Sequence, residues 1–218
     1  MVLTKHETLK QMHEAYLVAV VRGTSTEDAI EIGKKVYEGG IKSLEITFST
    51  PGAEQAIQAL SALGVEDMIV GAGTVLDAET ARIAILHGAT YVVSPHFNKD
   101  IATVCNRYSI PYLPGCGSIT EIVGALESGV DVVKLFPGSL LGPGFIKDVK
   151  GPIPHAEMMP SGGVSIDNLH EWVEKGAYAV GIGSALTKGV KDSNYDSVAE
   201  VANQFVTRLN EVRYNFLK

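Results

Sequence analysis

The chain has 218 residues, 45% of them hydrophobic and only 7% aromatic, enough to bury a substantial core in one large or two small domains. A formal net charge of -7 argues against nucleic acid or an anionic membrane as partner, so a small anionic substrate would need locally placed positive groups. No apolar run is long enough to span a bilayer, the polar start is not a signal peptide, and Cys105 and Cys116, without CxxC or zinc spacing, suit a reducing cytoplasm.

In chain order, a polar amphipathic helix is expected from Thr4 to Glu14, followed by a strand from Leu17 to Arg22. A helix opened by Thr24-Ser25-Thr26-Glu27-Asp28 then runs to about Gly39-Gly40. The strand-then-helix pattern returns seven more times. Further strands are expected over Lys42 to Phe48, Met68 to Gly73, Thr90 to Ser94, Pro111 to Pro114, Asp131 to Phe136, Glu157 to Pro160 and Tyr178 to Gly183. The helices between and after them begin near Pro51, Asp77, Lys99, Ser118, Gly142, Ser165 and Asp196, several opened by Ser, Thr or Asp at a cap-like position. Gly64, Gly88, Gly129 and Gly176 sit where a left-handed helix end is expected just before the next strand.

The repeat, about 21 to 26 residues long, suits a βα unit. Eight of them predict an α/β fold of the (β/α)8 TIM barrel type with a short N-terminal helix, spanning residues 1–218 as a single domain, since no linker divides the chain. A flavodoxin-like open sheet is the competitor; it uses fewer strands, and the early glycine-rich dinucleotide fingerprint is missing. In a barrel the chemistry sits at the C-terminal strand ends. Those ends supply Arg22, then Glu45 and Thr47, Gly73-Thr74, Ser94-Pro95-His96, Pro114-Gly115, Lys134 and Phe136, Ser161-Gly162-Gly163, and Gly183-Ser184.

Asp131-Val132-Val133-Lys134-Leu135-Phe136-Pro137-Gly138 reads as a buried strand carrying one lysine. An amine kept from water loses its preference for the charged form, and the neutral amine attacks a carbonyl carbon. The bland alternative is an edge strand with its lysine in solvent. Alternation puts Glu45 and Thr47 on one face of the second strand and Lys134 and Phe136 on one face of the sixth. If both faces point inward, a carboxylate and an amine share one interior. They could form a merely structural ion pair. Functionally, a lysine Schiff base withdraws electrons so that a neighbouring C–C bond breaks, and a nearby carboxylate moves the protons. The pair then makes an aldolase that needs no cofactor, and no His/Asp/Glu cluster has metal-site spacing. Ser161-Gly162-Gly163 and Gly183-Ser184 place free N–H groups and hydroxyls where a phosphate could bind, although glycines there can be mere turn residues. Arg22 could hold a carboxylate through a bidentate contact or simply be a solvated loop arginine.

Through Val20-Val21-Arg22, Leu44-Glu45-Ile46-Thr47, Gly71-Ala72-Gly73-Thr74-Val75, Val93-Ser94-Pro95, Val133-Lys134-Leu135-Phe136-Pro137, Ser161-Gly162-Gly163 and Gly181-Ile182-Gly183-Ser184, the chain resembles a known family nearly end to end. That family is the bacterial 2-keto-3-deoxy-6-phosphogluconate (KDPG) / 4-hydroxy-2-oxoglutarate (KHG) aldolases, class I aldolases on a (β/α)8 barrel. The resemblance implies Lys134 as the Schiff-base lysine and Glu45 as the general acid/base. It implies Thr74, with Arg22, at the carboxylate of the pyruvyl group, Thr47 beside them, and Pro95 and Phe136 as pocket walls. Ser161, Gly162, Gly163, Gly183 and Ser184 would hold the distal phosphate. The implied protein is a cytoplasmic homotrimer acting on pyruvate-derived keto acids and sugar phosphates. Two departures stand out. Ser49 occupies the position where some relatives carry an arginine, with Arg22 as the replacement donor, and Ser161 stands where threonine is more common.

His96 faces the catalytic end but reads as a surface loop histidine, Cys116 as a small loop residue, and Trp172 as packing between helices. Another phosphate-binding barrel enzyme, of epimerase or thiamine-phosphate synthase type, would share the last two loops without needing the lysine. A non-catalytic sugar-phosphate sensor would need neither Lys134 nor Glu45.

Overall fold

The computed structural model describes residues 4–190 and 194–216. Its elements follow the expected alternation: α1 (Thr4–Ala15), β1 (Leu17–Val21), α2 (Thr26–Glu38), β2 (Ser43–Thr47), α3 (Ala53–Ser61), β3 (Ile69–Gly73), α4 (Ala78–Leu86), β4 (Val92–Val93), α5 (Lys99–Arg107), β5 (Tyr112–Leu113), β6 (Gly115–Cys116), α6 (Ile119–Glu127), β7 (Val132–Leu135), α7 (Gly138–Leu141), α8 (Gly144–Lys150), β8 (Glu157–Pro160), α9 (Leu169–Glu174), β9 (Val180–Ile182), α10 (Ser184–Thr187) and α11 (Asp196–Phe216). Two expectations need refinement. The fifth strand is broken into β5 and β6 by Pro114, which has no N–H to give a ladder. The helix expected from Gly142 is preceded by the short α7, because Gly142 at φ 72° ends one turn and Pro143 begins the next.

Local chemistry sets the helix ends. Ser25, Asp77 and Ser118 each accept a hydrogen bond from the backbone N–H three residues on, and Asn98 accepts from Asp100 and Ile101. Gly64, Gly88, Gly129 and Gly176 all have positive φ, as their positions before the strands require.

The strands are parallel. One curled sheet has the order β5-β4-β3-β2-β1-β9, and a second has the order β6-β7-β8. The sheets meet at two joints. A bridge pairs Ser161 with Gly181, and the Lys134 amide donates to the Pro114 carbonyl at 2.8 Å.

Strand alternation divides the core. Leu17, Ala19, Val21, Leu44, Ile46, Val133 and Leu135 face the helices in the larger cluster. Val18, Ile69, Tyr91, Val93, Leu113, Val132 and Met159 fill the hollow of the sheets. Leu9 and Met12 of α1 join this inner set and stopper its N-terminal end. The stopper is tied down by the Tyr178 hydroxyl donating to the Leu9 carbonyl and by a Lys5–Asp131 ion pair of 2.7 Å. The C-terminal end of the hollow is left for polar side chains. Among the described residues no helix is long and apolar enough to cross a membrane.

Candidate active site

Alternation sends Lys134 of β7 and Glu45 of β2 into the same hollow from opposite walls. Lys134 Nζ donates to Glu45 Oε1 at 3.3 Å, with the lysine 6% exposed and the glutamate fully buried. The Lys134 amine also lies 5.2 Å from the Phe136 ring centroid. Burial pushes the Glu45 carboxyl above the usual range, against the opposing pull of Lys134 and, more weakly, of Arg22. The other carboxyl oxygen, Oε2, has no hydrogen-bond partner among the described residues. An open buried acceptor beside an amine is costly in the free protein and useful for moving a proton on a bound ligand.

Room for this pair comes from β3. A Cβ on Gly73 would lie 2.3 Å from Glu45 Oε1, so only glycine lets the carboxyl lie there. The next residue, Thr74, has φ 56°. A β-branched residue in the left-handed region costs on the order of 1–3 kcal/mol, and such strain concentrates at functional sites.

Beside the pair, Thr47 Oγ1 donates to the Val21 carbonyl at 3.1 Å and lies 3.0 Å from Ser49 Oγ. Arg22 Nε donates to the same Ser49 hydroxyl at 3.1 Å. Arg22 is thus seated on the serine at which the sequence departs from some relatives. Across the opening, buried Ser94 binds the Tyr112 hydroxyl at 2.6 Å and donates to the His96 carbonyl, which fixes the loop bearing Pro95. That loop lies against β6: a Cβ on Gly115 would be 2.2 Å from the Pro95 carbonyl. His96 takes part through its backbone, while Cys116 turns toward the helices and Trp172 is buried among them.

Ser161 is buried against Gly181, and its carbonyl accepts from the Gly138 amide at 2.8 Å. Gly162 and Gly163 follow with φ 90° and 79°, and their amides donate to no group among the described residues. Gly183 and Ser184 lie at the end of neighbouring β9. The structure therefore gathers every residue expected at the substrate site at the C-terminal strand ends. Sequence reasoning missed two side chains of the same hollow, Ser43 and Tyr91, for which alternation alone gave any signal. A groove of about 680 Å³ opens at the opposite end beside Gln11, Lys42 and Arg213. Among the described residues no group of three or more His, Cys, Asp or Glu side chains could hold a metal ion.

Similarity to known proteins agrees with this geometry. The model of the KDPG and KHG aldolase family matches residues 9–201. The 2-dehydro-3-deoxy-phosphogluconate aldolase of Treponema pallidum is 38% identical over 78% of this chain and 80% of its own. The 2-dehydro-3-deoxy-6-phosphogalactonate aldolase of Escherichia coli is 31% identical over 89% of this chain and 95% of its own. Among solved structures, the Legionella pneumophila KDPG aldolase, with pyruvate captured as a covalent carbinolamine intermediate, superposes with a TM-score of 0.82 at 26% identity, covering 90% of this chain and 96% of that one. A buried lysine and carboxylate at the strand ends, on a chain matched nearly throughout, lead to one conclusion: this protein belongs to the KDPG and KHG aldolase family.

Proposed function

We propose that the protein is a class I aldolase cleaving 2-keto-3-deoxy-6-phosphogluconate to pyruvate and glyceraldehyde 3-phosphate, and 4-hydroxy-2-oxoglutarate to pyruvate and glyoxylate. The observation that carries the reading is the buried 3.3 Å contact between Lys134 Nζ and Glu45 Oε1. Neither the epimerase type of barrel nor a sensor calls for an amine there. In this mechanism the Lys134 amine adds to the C2 ketone, and the carbinolamine loses water to give the iminium. Glu45 takes the C4 hydroxyl proton as the C3–C4 bond breaks. The bonding electrons pass into the iminium as an enamine, and the aldehyde leaves. Protonation at C3 and hydrolysis then release pyruvate and restore the amine.

The remaining parts follow from position. Arg22, Thr47 and Thr74 take the substrate carboxylate, with Arg22 oriented by Ser49. Pro95 and Phe136 wall the pyruvyl group. The amides of Gly162 and Gly163, with Ser161, Gly183 and Ser184, hold the phosphate of the larger substrate, supported by the free N–H groups of the loop. The smaller substrate does without that contact.

The two joints between the sheets support a closed (β/α)8 barrel and a single domain over the whole chain. Exposed Ile83 and Leu86 on α4, with Ile119 and Val123 on α6, offer apolar surface for assembly as a homotrimer, which light scattering measures. Two unpaired buried thiols fit a reducing cytoplasm.

The test is borohydride reduction in the presence of pyruvate, read by intact mass and peptide mapping. A stable adduct confined to the Lys134 peptide, absent in Lys134→Met, is the expected result. No adduct in the folded wild type would remove the aldolase reading and leave the epimerase-like or sensor barrel.

A further inference from the structure

Tyr91, just ahead of β4, is fully buried in the hollow of the sheets. Its ring crosses β3 at Gly71, where a Cβ would lie 2.4 Å from ring carbons Cε1 and Cζ. At the far side its hydroxyl accepts a hydrogen bond of 3.1 Å from Ser43 Oγ of β2. One side chain therefore spans from β4 over β3 to β2.

The register decides what lies beside this span. Gly71 is the cross-strand partner of Glu45, and Ser43 is two residues before Glu45 on the same face. Gly73, two residues beyond Gly71, accommodates the Glu45 carboxyl. The two glycines of Gly71-Ala72-Gly73 thus receive two neighbours stacked along the strand, the Tyr91 ring below and the Glu45 carboxyl above. Below the ring the packing is apolar, formed by Val18, Ile69, Val132, Met159 and the α1 stopper.

We propose that Tyr91, tied down by Ser43, is a positioning residue for the aldol chemistry: its ring is the dry floor on which the Glu45 carboxyl is held facing Lys134. The inference rests on the aldolase reading and adds to it the element that sets the state of the proton carrier. A rigid ring closed by a hydrogen bond excludes water from beneath the carboxyl and bars it from swinging away from the amine. Burial is the largest influence on the Glu45 carboxyl, pushing it up, and Glu45 in turn discourages ionisation of the Tyr91 phenol. The other charged groups acting on Glu45 are Lys134 from β7 and Arg22 from the end of β1, while β3 presents Gly71 and Gly73 and β8 leads to Ser161. Loss of the ring leaves those charges in place and changes the hydration and the confinement of the carboxyl.

The test is the pH dependence of kcat for cleavage of 2-keto-3-deoxy-6-phosphogluconate, followed by coupled reduction of pyruvate, in Tyr91→Phe and Tyr91→Leu. kcat reports groups in the substrate complex and the ring adjoins the carboxyl, so a shift of the acid limb between these variants follows Glu45. Tyr91→Phe keeps the ring and leaves the limb in place. Tyr91→Leu admits water, and its limb moves to lower pH by about one unit, with kcat at neutral pH reduced roughly tenfold and KM changed less than about twofold. Should Tyr91→Leu not fold, Tyr91→Met, close in volume but without a rigid ring, takes its place with the same expected direction. An unmoved limb in the folded Leu or Met variant, with only a lower melting temperature, would overturn the proposal and leave Tyr91 as packing. Pyruvate trapping in the same variants separates the two levels. Trapping with an unmoved limb counts against Tyr91 alone, whereas no trapping in the wild type counts against the aldolase reading itself.

Discussion

Gly73→Ala changes one atom, and the structure says where that atom goes. The new methyl would stand 2.3 Å from Glu45 Oε1, 2.6 Å from Cγ and 2.8 Å from Cδ, whereas ordinary contact begins near 3.4 Å. The Gly73 backbone lies outside the left-handed region, so alanine fits there and the conflict is purely with Glu45. The carboxyl must retreat by about 1 Å, and its 3.3 Å contact with Lys134 is lost or reoriented. Overpacking of this kind costs about 1–3 kcal/mol, and a melting temperature in a chain of this size falls by about 2–4 °C per kcal/mol. Misplacing a catalytic group by about 1 Å costs on the order of 100-fold in rate. The expected outcome is therefore a folded enzyme with kcat down by about two orders of magnitude and a modestly lower melting temperature. It still traps pyruvate with borohydride, because Lys134 is untouched. Steady-state cleavage kinetics, calorimetry and adduct mass on one preparation measure all three. A kcat near that of wild type alongside the expected thermal shift would refute the assignment of the Gly73 space to a working Glu45. Equal loss of trapping and turnover would show instead that the lysine was displaced.

Arg22→Ala should raise KM for both keto-acid substrates with a smaller effect on kcat, since Arg22 reaches the site from an exposed loop through Ser49; an unchanged KM would sink its role at the carboxylate. Burial pushes the Cys105 and Cys116 thiols from 9.0 up to about 12. Both should therefore resist a chromogenic disulfide reagent at pH about 8 in the native protein and react at once in guanidinium. Because the folded state holds these protons more tightly than the unfolded one, stability falls as pH rises from about 9 towards 12, which denaturant titrations across that range would record. Asp77→Ala removes the cap that accepts from the Thr80 amide at 2.6 Å and should cost about 1 kcal/mol, or about 2–4 °C in melting temperature, with kcat unchanged.

Much of the frame could be read from local pattern, because local forces decide it. Apolar runs, Ser and Asp caps, and glycines before strands fixed the element order, and two-residue alternation put Glu45 with Thr47 and Lys134 with Phe136 on one face of each strand, which folding turns inward for Glu45 and Lys134. The break at Pro114 followed from a rule that applies to every strand proline, but nothing in the spacing showed that a second short strand, Gly115–Cys116, would resume beyond it. What escaped the sequence is contact through space. Gly71 and Gly73 read only as part of a strand from Met68 to Gly73, yet each is small because a side chain from another strand occupies its place. Ser49 read as a lost arginine, and only folding shows that the Arg22 side chain binds it. Tyr91 was not singled out at all, since its tie to Ser43 joins residues 48 apart in the chain.

The stopper made by Leu9 and Met12 has a kinetic consequence. With one end shut, the hollow is a blind alley, and traffic in it is last in, first out. On the aldolase reading, the imine on buried Lys134 lies deeper in the hollow and the aldehyde half lies toward the open C-terminal end. The aldehyde must clear the passage before water can reach the imine, so release is ordered without a lid, and the enamine is shielded from solvent while the aldehyde remains.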